Sequence, residues 1–421
     1  MRIDLVCDDA SPLAPGAPAG AETGDHIAAL ARALAAAGVA VTVNVRRDAP
    51  GLAERAAMCP GVTVRHLPVG PARPVPASEL LPLAGLFGAR LASAWRAERP
   101  DVVHAHGWRS GLAALAGARA SGLPVVQSLH MPGAAARRHG AGLDRVPPER
   151  VPLERGIIRE AHRLIASSHA QVVELVREGA DRRRISVVPC GIDPDLFRPD
   201  GPREYRRAAR PRAVHAGGPW HRAGVEAAIR AIAMIPGAEL VIAGGPPRAA
   251  MERDADARRL RAVAAELGVA DRVQFRGGID AHAVATLMRS ADVVVCTPWF
   301  EPFPVAPLRA MACGVPVVVA SSGGIVDAVP DGVAGMHVPA DRPPRLAAAL
   351  AELFADRSLR ARMGAAGVRL ARRRHGWERV GRDTARVYAR AVAGTLWAAG
   401  GRAGSPVGAH ARGPREGALA G

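Results

Sequence analysis

Residues 299–314, Trp299-Phe300-Glu301-Pro302-Phe303-Pro304-Val305-Ala306-Pro307-Leu308-Arg309-Ala310-Met311-Ala312-Cys313-Gly314, lie between two short apolar runs at 292–296 and 315–320. Both runs are continuously apolar and β-branched rather than alternating, the pattern of strands buried on both faces of a parallel sheet. The stretch between them therefore leaves the carboxyl end of one strand, turns through prolines and enters a helix. In open α/β sheets ligands sit at that edge, and the free N–H groups of a helix start favour phosphate.

The same alternation extends in both directions. A strand at 2–7, a helix at 25–37 ended by Gly38 and a strand at 39–45 form a βαβ start. Further strands are predicted at 62–67, 102–105, 125–129, 163–166 and 185–188, with helices at 78–98, 109–120 and 170–178. After Pro189-Cys190-Gly191-Ile192-Asp193 the chain turns polar and irregular, and the pattern then restarts. Strands are predicted at 213–216, 239–243, 272–276, 292–296 and 315–320, and helices at 224–235, 255–267, 282–290 and 345–354. Helical closers follow at 360–374 and 378–393. The fold class is therefore α/β, two doubly wound Rossmann-like domains facing across a cleft. The expected division is an N-terminal domain at 1–195, a linker at 196–212, a C-terminal domain at 213–375 and a closing helix at 376–395. A tail at 396–421, rich in Gly, Ala, Pro and Arg, is expected to be disordered.

Composition agrees with two cores, since 421 residues exceed what one core supports and 49% of them are apolar. No apolar run approaches the roughly 20 residues of a membrane span, and acids at Asp4, Asp8 and Asp9 interrupt the start, so the chain reads as cytoplasmic. Five scattered cysteines show neither disulfide nor metal-ligand spacing and read as mostly buried thiols. The formal charge of +17 invites a polyanion partner, but the chain has no lysine and one asparagine, a composition that looks like coding bias. Dispersed surface arginine is the preferred reading. Nucleic acid is disfavoured, and peripheral contact with an anionic membrane, at its inner face, stays open. The missing lysine excludes a P-loop lysine, a Schiff-base lysine and a Ser-x-x-Lys pair.

Several residues carry candidate chemistry. Glu301, just past a buried strand, reads equally as an acceptor of hydrogen bonds from sugar hydroxyls in a cleft and as a solvated loop acid. His104, His106 and His130 follow two strand ends on one edge of the N-terminal sheet, where His130 can donate to a sugar oxygen or move a proton, whereas His104 reads first as a satisfied structural histidine and His106 has the same alternative. No carboxylate or fourth ligand accompanies the trio, so a metal site is not expected. Gly217-Gly218 and Gly323-Gly324 are glycine turns at strand-to-helix junctions that let backbone N–H groups approach a phosphate. The basic clusters Arg137-Arg138-His139 and Arg182-Arg183-Arg184 flank loops and read first as solvated charge. No Gly-x-Gly-x-x-Gly follows the first strand, which argues against a dinucleotide-dependent dehydrogenase.

Four segments together resemble a known family: Arg99-Pro100-Asp101-Val102-Val103-His104-Ala105-His106, Val187-Val188-Pro189-Cys190-Gly191-Ile192-Asp193, Glu301-Pro302-Phe303 and Ala310-Met311-Ala312-Cys313-Gly314-Val315-Pro316-Val317-Val318. They resemble the retaining glycosyltransferases of family 4, of GT-B fold and actinobacterial type, in order over nearly the whole chain. The resemblance implies a nucleotide-diphospho-sugar in the C-terminal domain and a small or lipid-linked acceptor in the N-terminal domain. It also implies hexose transfer with retained configuration, no cofactor and no metal. Glu301 matches the family glutamate that contacts the donor sugar, Phe303 the phenylalanine two residues on, and His130 the histidine near the transferring sugar. The catalytic pair implied is His130 and Glu301. Donor contacts are expected from Gly217, Arg222, Phe303, Pro304, Leu308, Arg309, Gly323 and Gly324, and acceptor-side contacts from Gly24, His106, Arg137 and Arg138.

The departures from the family pattern fall on the donor site. Arg309 stands where a glutamate grips the ribose, Gly218 and Ala223 where an arginine and a lysine hold the diphosphate, and Pro304 where a glycine completes the turn. The N-terminal double-glycine loop has become Gly20-Ala21-Glu22-Thr23-Gly24-Asp25-His26. Arg309, together with Arg222, which adjoins the place of the lost lysine, is the expected replacement for the lost cations. The alternative is an impaired pseudo-glycosyltransferase that binds or scaffolds.

Overall fold

The computed structural model of the chain describes residues 1–8, 11–13, 22–139, 146–206, 210–217, 220 and 224–400. Two sheets organise it. The first takes β1 (Arg2–Cys7), β2 (Ala40–Arg46), β3 (Arg55–Cys59), β4 (Val62–Leu67), β5 (Val102–His106), β6 (Val125–Ser128), β7 (Arg163–Ala166) and β8 (Ile185–Val187) in the order β3-β4-β2-β1-β5-β6-β7-β8. Only β3 runs antiparallel, against β4 at the edge. The second takes β9 (Arg212–Ala216), β10 (Glu239–Pro247), β11 (Val273–Gly278), β12 (Val293–Cys296), β13 (Val317–Ala320) and β14 (Gly335–Val338) in the order β11-β10-β9-β12-β13-β14, all parallel.

Residues of β12 and β13 are buried without exception, as their unbroken Val-rich runs require of strands covered by helices on both faces. Strand order reverses beside the first strand of each sheet, β1 lying between β2 and β5, and β9 between β10 and β12. At such a reversal the connecting helices depart to opposite sides and leave a crevice at the carboxyl ends. His106, Gly217 and the turn after Cys296 all emerge at these two crevices.

The helix Trp377–Gly400 returns to the first sheet. Val380, Val387, Tyr388 and Ala391 join Ile27, Leu30 and Leu34 in one core cluster. Gly381 sits so close to the helix Glu22–Ala36 that a Cβ there would meet the Ala33 Cβ at 3.0 Å. The chain thus passes between the sheets twice, and the two passages touch. The Ile192 N–H donates to the His375 carbonyl at 2.8 Å, Ile192 and Gly376 form a β-bridge, and His375 Nδ1 meets the Cys190 carbonyl at 2.9 Å. The stretch expected as a linker is pinned to the second sheet's layer: Phe197 is buried, and Arg289 donates to the carbonyls of Leu196 (3.2 Å) and Pro202 (2.7 Å). Residues 207–209 and 401–421 of the expected linker and tail fall outside the described residues.

Several arginines that composition reads as surface charge serve helix ends instead. Arg184 donates to the carbonyls of Ile158, Arg159 and Ala161, at the end of the helix Arg150–Glu160. Arg272 does so to Ile235 (2.9 Å) and Ala238 (2.8 Å) beyond the helix Val225–Ala233, and Arg360 to Leu353 and Phe354 in the helix Pro343–Ala355. A helix end leaves carbonyls without partners at the negative pole of its dipole, and a planar guanidinium answers both needs.

Candidate active site

The turn after β12 is held from below by two glycines. Glu301 folds back on itself, its Oε1 accepting the Phe303 N–H at 2.9 Å, and the Gly324 N–H donates to the Glu301 carbonyl at 2.7 Å. Gly323 has φ +56°, and a Cβ there would lie 2.5 Å from the Glu301 carbonyl oxygen. Replacing Gly323 by Ala therefore adds left-handed strain to a backbone clash, and is expected to lower the unfolding free energy by about 2 kcal/mol. Chemical denaturation checks this, and a change within the usual scatter of a surface substitution would contradict it. Across the cleft the Ser167 hydroxyl donates to the Pro302 carbonyl at 2.6 Å, and His139 stacks on Phe300 with ring centroids 4.3 Å apart.

Facing this turn is a cluster of four imidazoles. His104 is held at both nitrogens, Nδ1 by the Tyr388 hydroxyl at 2.7 Å and Nε2 by the Ser128 hydroxyl at 2.9 Å. His106 Nδ1 meets His130 Nε2 at 3.2 Å. His130 has φ +46°, the one positive value at a non-glycine residue among those described, and its carbonyl accepts from Gln171 Nε2 at 3.0 Å. His26, from the helix Glu22–Ala36, completes the group at 5.6 Å from His130 between ring centroids. Burial pushes His104 down to about 3 and His130 down to about 4, and holds His26 and His106 well below the usual imidazole value. All four rings are neutral at pH 7.

Phe303 joins the halves, its ring 5.0 Å from that of His26 and 5.6 Å from that of His130. Beside it opens a cleft of about 510 Å³ lined by Gly217, Gly244, Asp280, Phe303, Arg309 and His26, among others. The Arg309 guanidinium lies 5.0 Å over the Phe197 ring. A cavity of about 580 Å³ elsewhere is larger, but it lies at the amino ends of β1, β2 and β4, away from the histidines. Topology favours the carboxyl-end cleft as the ligand site.

The site expected from sequence is brought together in part. Glu301, Phe303, Arg309, Gly217 and His130 gather around or beside the cleft. Leu308 does not, because its side chain is fully buried in the core of the second sheet's layer. Pro304 is buried too and caps the helix Val305–Ala312. Gly323 and Gly324 serve the close approach of two backbones, Gly324 lying against Pro302 and Ser168. On the acceptor side, His106 is buried and holds His130 rather than facing a ligand. Arg138 is bound to the buried carboxylates of Glu174 and Glu178, which hold its pKa up. Arg137 donates to the Pro147 carbonyl at 3.0 Å, and Gly24 is buried in the first turn of its helix. Arg222, Gly218, Ala223 and the loop residues Gly20 and Ala21 lie outside the described residues. His26 was not expected in the site. Only the pairing of its helix with the turn after β12 reveals it.

The profile described as Glycosyltransferase Family 4 matches residues 20–196, and that described as Glycosyl transferases group 1 matches residues 211–369. A D-inositol 3-phosphate glycosyltransferase of Acidothermus cellulolyticus is 34% identical over 97% of this chain and 94% of its own. D-inositol 3-phosphate glycosyltransferase 1 of Catenulispora acidiphila is 34% identical over 84% of this chain and 88% of its own. Among solved structures, a sucrose-phosphate synthase from Thermosynechococcus elongatus superposes with TM-score 0.84 and 25% identity, over 94% of this chain and 99% of that one. The chain belongs to the family-4 glycosyltransferases and has their GT-B fold.

Proposed function

We propose that this protein transfers a hexose from a nucleotide-diphospho-sugar to a small hydroxyl-bearing acceptor, with retained configuration and without a metal ion. The observation that carries the reading is the contact of Phe303 with His26 and His130, which sets the Glu301 turn beside the neutral imidazoles, of which His26 lines the cleft. In this reading Arg309 and the Gly217 backbone meet the diphosphate, Glu301 meets the donor sugar, and His130 donates to it. The curated relatives, named for D-inositol 3-phosphate, favour a small polyol or its phosphate over a lipid-linked acceptor. No helix of the described residues is long and apolar enough to cross a membrane. The arginine excess is a weak argument for an anionic membrane surface, because Arg138, Arg184, Arg272 and Arg360 are engaged inside the fold.

A second reading, a binding protein without turnover, is favoured by one observation: the position of the family's ribose-binding glutamate is Arg309, whose guanidinium rests on Phe197. Nucleoside diphosphate release from UDP-, GDP- and ADP-sugars, measured with and without inositol phosphates, separates the two. Release from at least one donor, stimulated by an acceptor, is expected. Thermal protection by a donor without release would favour the binding protein, and neither protection nor release would overturn both readings.

A further inference from the structure

His106 is not a ligand-facing residue, yet its two ring nitrogens are in unequal positions. Nδ1 lies 3.2 Å from His130 Nε2, whereas Nε2 is buried without a hydrogen-bond partner among the described residues. A neutral imidazole carries one hydrogen. If that hydrogen sat on Nε2 of His106, a buried N–H donor would be orphaned; if it sits on Nδ1, the buried nitrogen left over is only a bare acceptor. Orphaned N–H donors are the rarer and costlier outcome. The hydrogen therefore belongs on His106 Nδ1, and His130 Nε2 accepts it.

We propose that His106 is a positioning residue that fixes His130 as the Nδ1–H tautomer, so that His130 meets its ligand as a hydrogen-bond donor through Nδ1. The other ring nitrogen is already occupied as an acceptor. His130 is partly exposed, and its Nδ1 has no hydrogen-bond partner among the described residues. The left-handed backbone at His130, held by Gln171 on its carbonyl, orients the ring for this pairing. A donor at this place suits a sugar oxygen, whereas a free Nε2 base would suit proton abstraction. The proposal thus deepens the hexosyl-transfer reading and rests on it only for the ligand; the tautomer is a property of the protein alone.

The test is histidine ¹⁵N chemical shifts of the full chain at pH 7, with the His130 signals assigned by their loss in His130→Gln. The parent is expected to show His130 protonated on Nδ1. His106→Leu removes the donor and is expected to release His130 to the Nε2–H form that free imidazole favours, with a fall of about tenfold in kcat and a smaller change in KM. His106→Asn, whose amide N–H falls near the position of Nδ1, is expected to restore the Nδ1–H form and most of the rate. An Nε2–H His130 in the parent would overturn the proposal, and this needs no variant to fold. An unchanged tautomer in His106→Leu would also overturn it. A parent tautomer as proposed that is lost in His106→Leu supports it even if no donor turns over, so its fate is separable from that of the hexosyl-transfer reading.

Discussion

Between pH 7 and about pH 4.5 the unfolding free energy is expected to drop by about 5 kcal/mol from His104 and His130 alone. The folded protein holds His104 down to about 3 because it is buried, and His130 down to about 4 because its ring, though partly exposed, is packed among the other imidazoles and Phe303. The unfolded chain takes up a proton on each near the ordinary value of 6.5. Stability is therefore whole above pH 6.5 and is lost progressively as pH falls towards the folded values, at about 2.5 kcal/mol for each ring by pH 4.5. His26 and His106 shift in the same direction and add to the slope. Asp4 and Glu154, pushed up by burial, act the other way, because the folded state takes up their protons before the ordinary carboxylate range is reached. Against a total stability of about 5 to 15 kcal/mol, a loss of this size is enough to unfold many domains. Urea titrations at a series of pH values measure it. A midpoint that stays level from pH 6.5 down to pH 5 would show that the rings are not held neutral.

Arg309→Ala is expected to weaken nucleoside diphosphate binding about a hundredfold. A guanidinium making two charge-assisted hydrogen bonds to a diphosphate contributes about 3 kcal/mol, even at the low end of the range for each bond. Its stacking on Phe197 competes with this, but such a contact is worth only about 1 kcal/mol near a surface and is compatible with donors turned towards the cleft. Arg309→Lys keeps the charge without the planar fork and should recover part of the loss. Titration calorimetry with UDP, GDP and ADP decides the matter. Binding unaffected by Arg309→Ala would end the role assigned to this residue and shift attention to the chain around Arg222.

Continuous β-branched runs made most of the two sheets legible, with β1, β4 and β7 matching residue for residue. The elements that escaped lack that signal. β3 is a half-exposed edge strand with the sequence RAAMC, and β14 opens with a glycine and carries a histidine. The helix Gly133–His139 starts at a glycine, and Arg150–Glu160 contains Pro152, so neither shows a clean apolar stripe. The placement of Glu301 and His130 at the carboxyl edges of the sheets was legible because both follow predicted strand ends. Leu308 was misread because its helix sends that side chain inward, beneath the face that carries Arg309. Arg138 was misread because its partners, Glu174 and Glu178, lie on a later part of the chain that no local pattern connects to it. His26 escaped because a histidine within an Ala-rich helix announces nothing until the opposing domain is in place.

The two chain passages that lie side by side at Ile192 and Gly376 have a mechanical meaning. A pair of adjacent joints on one line works like the hinges of a door: it leaves a single soft rotation and resists twist and slide. Gly191 is pressed so close to Trp377 that a Cβ would fall 2.5 Å from the indole, so the joint has little play of its own. Gly191 and Trp377 also form part of the cleft wall. Any rotation of one domain on the other about this line would move the cleft wall least at Gly191 and Trp377 and most at the far rim.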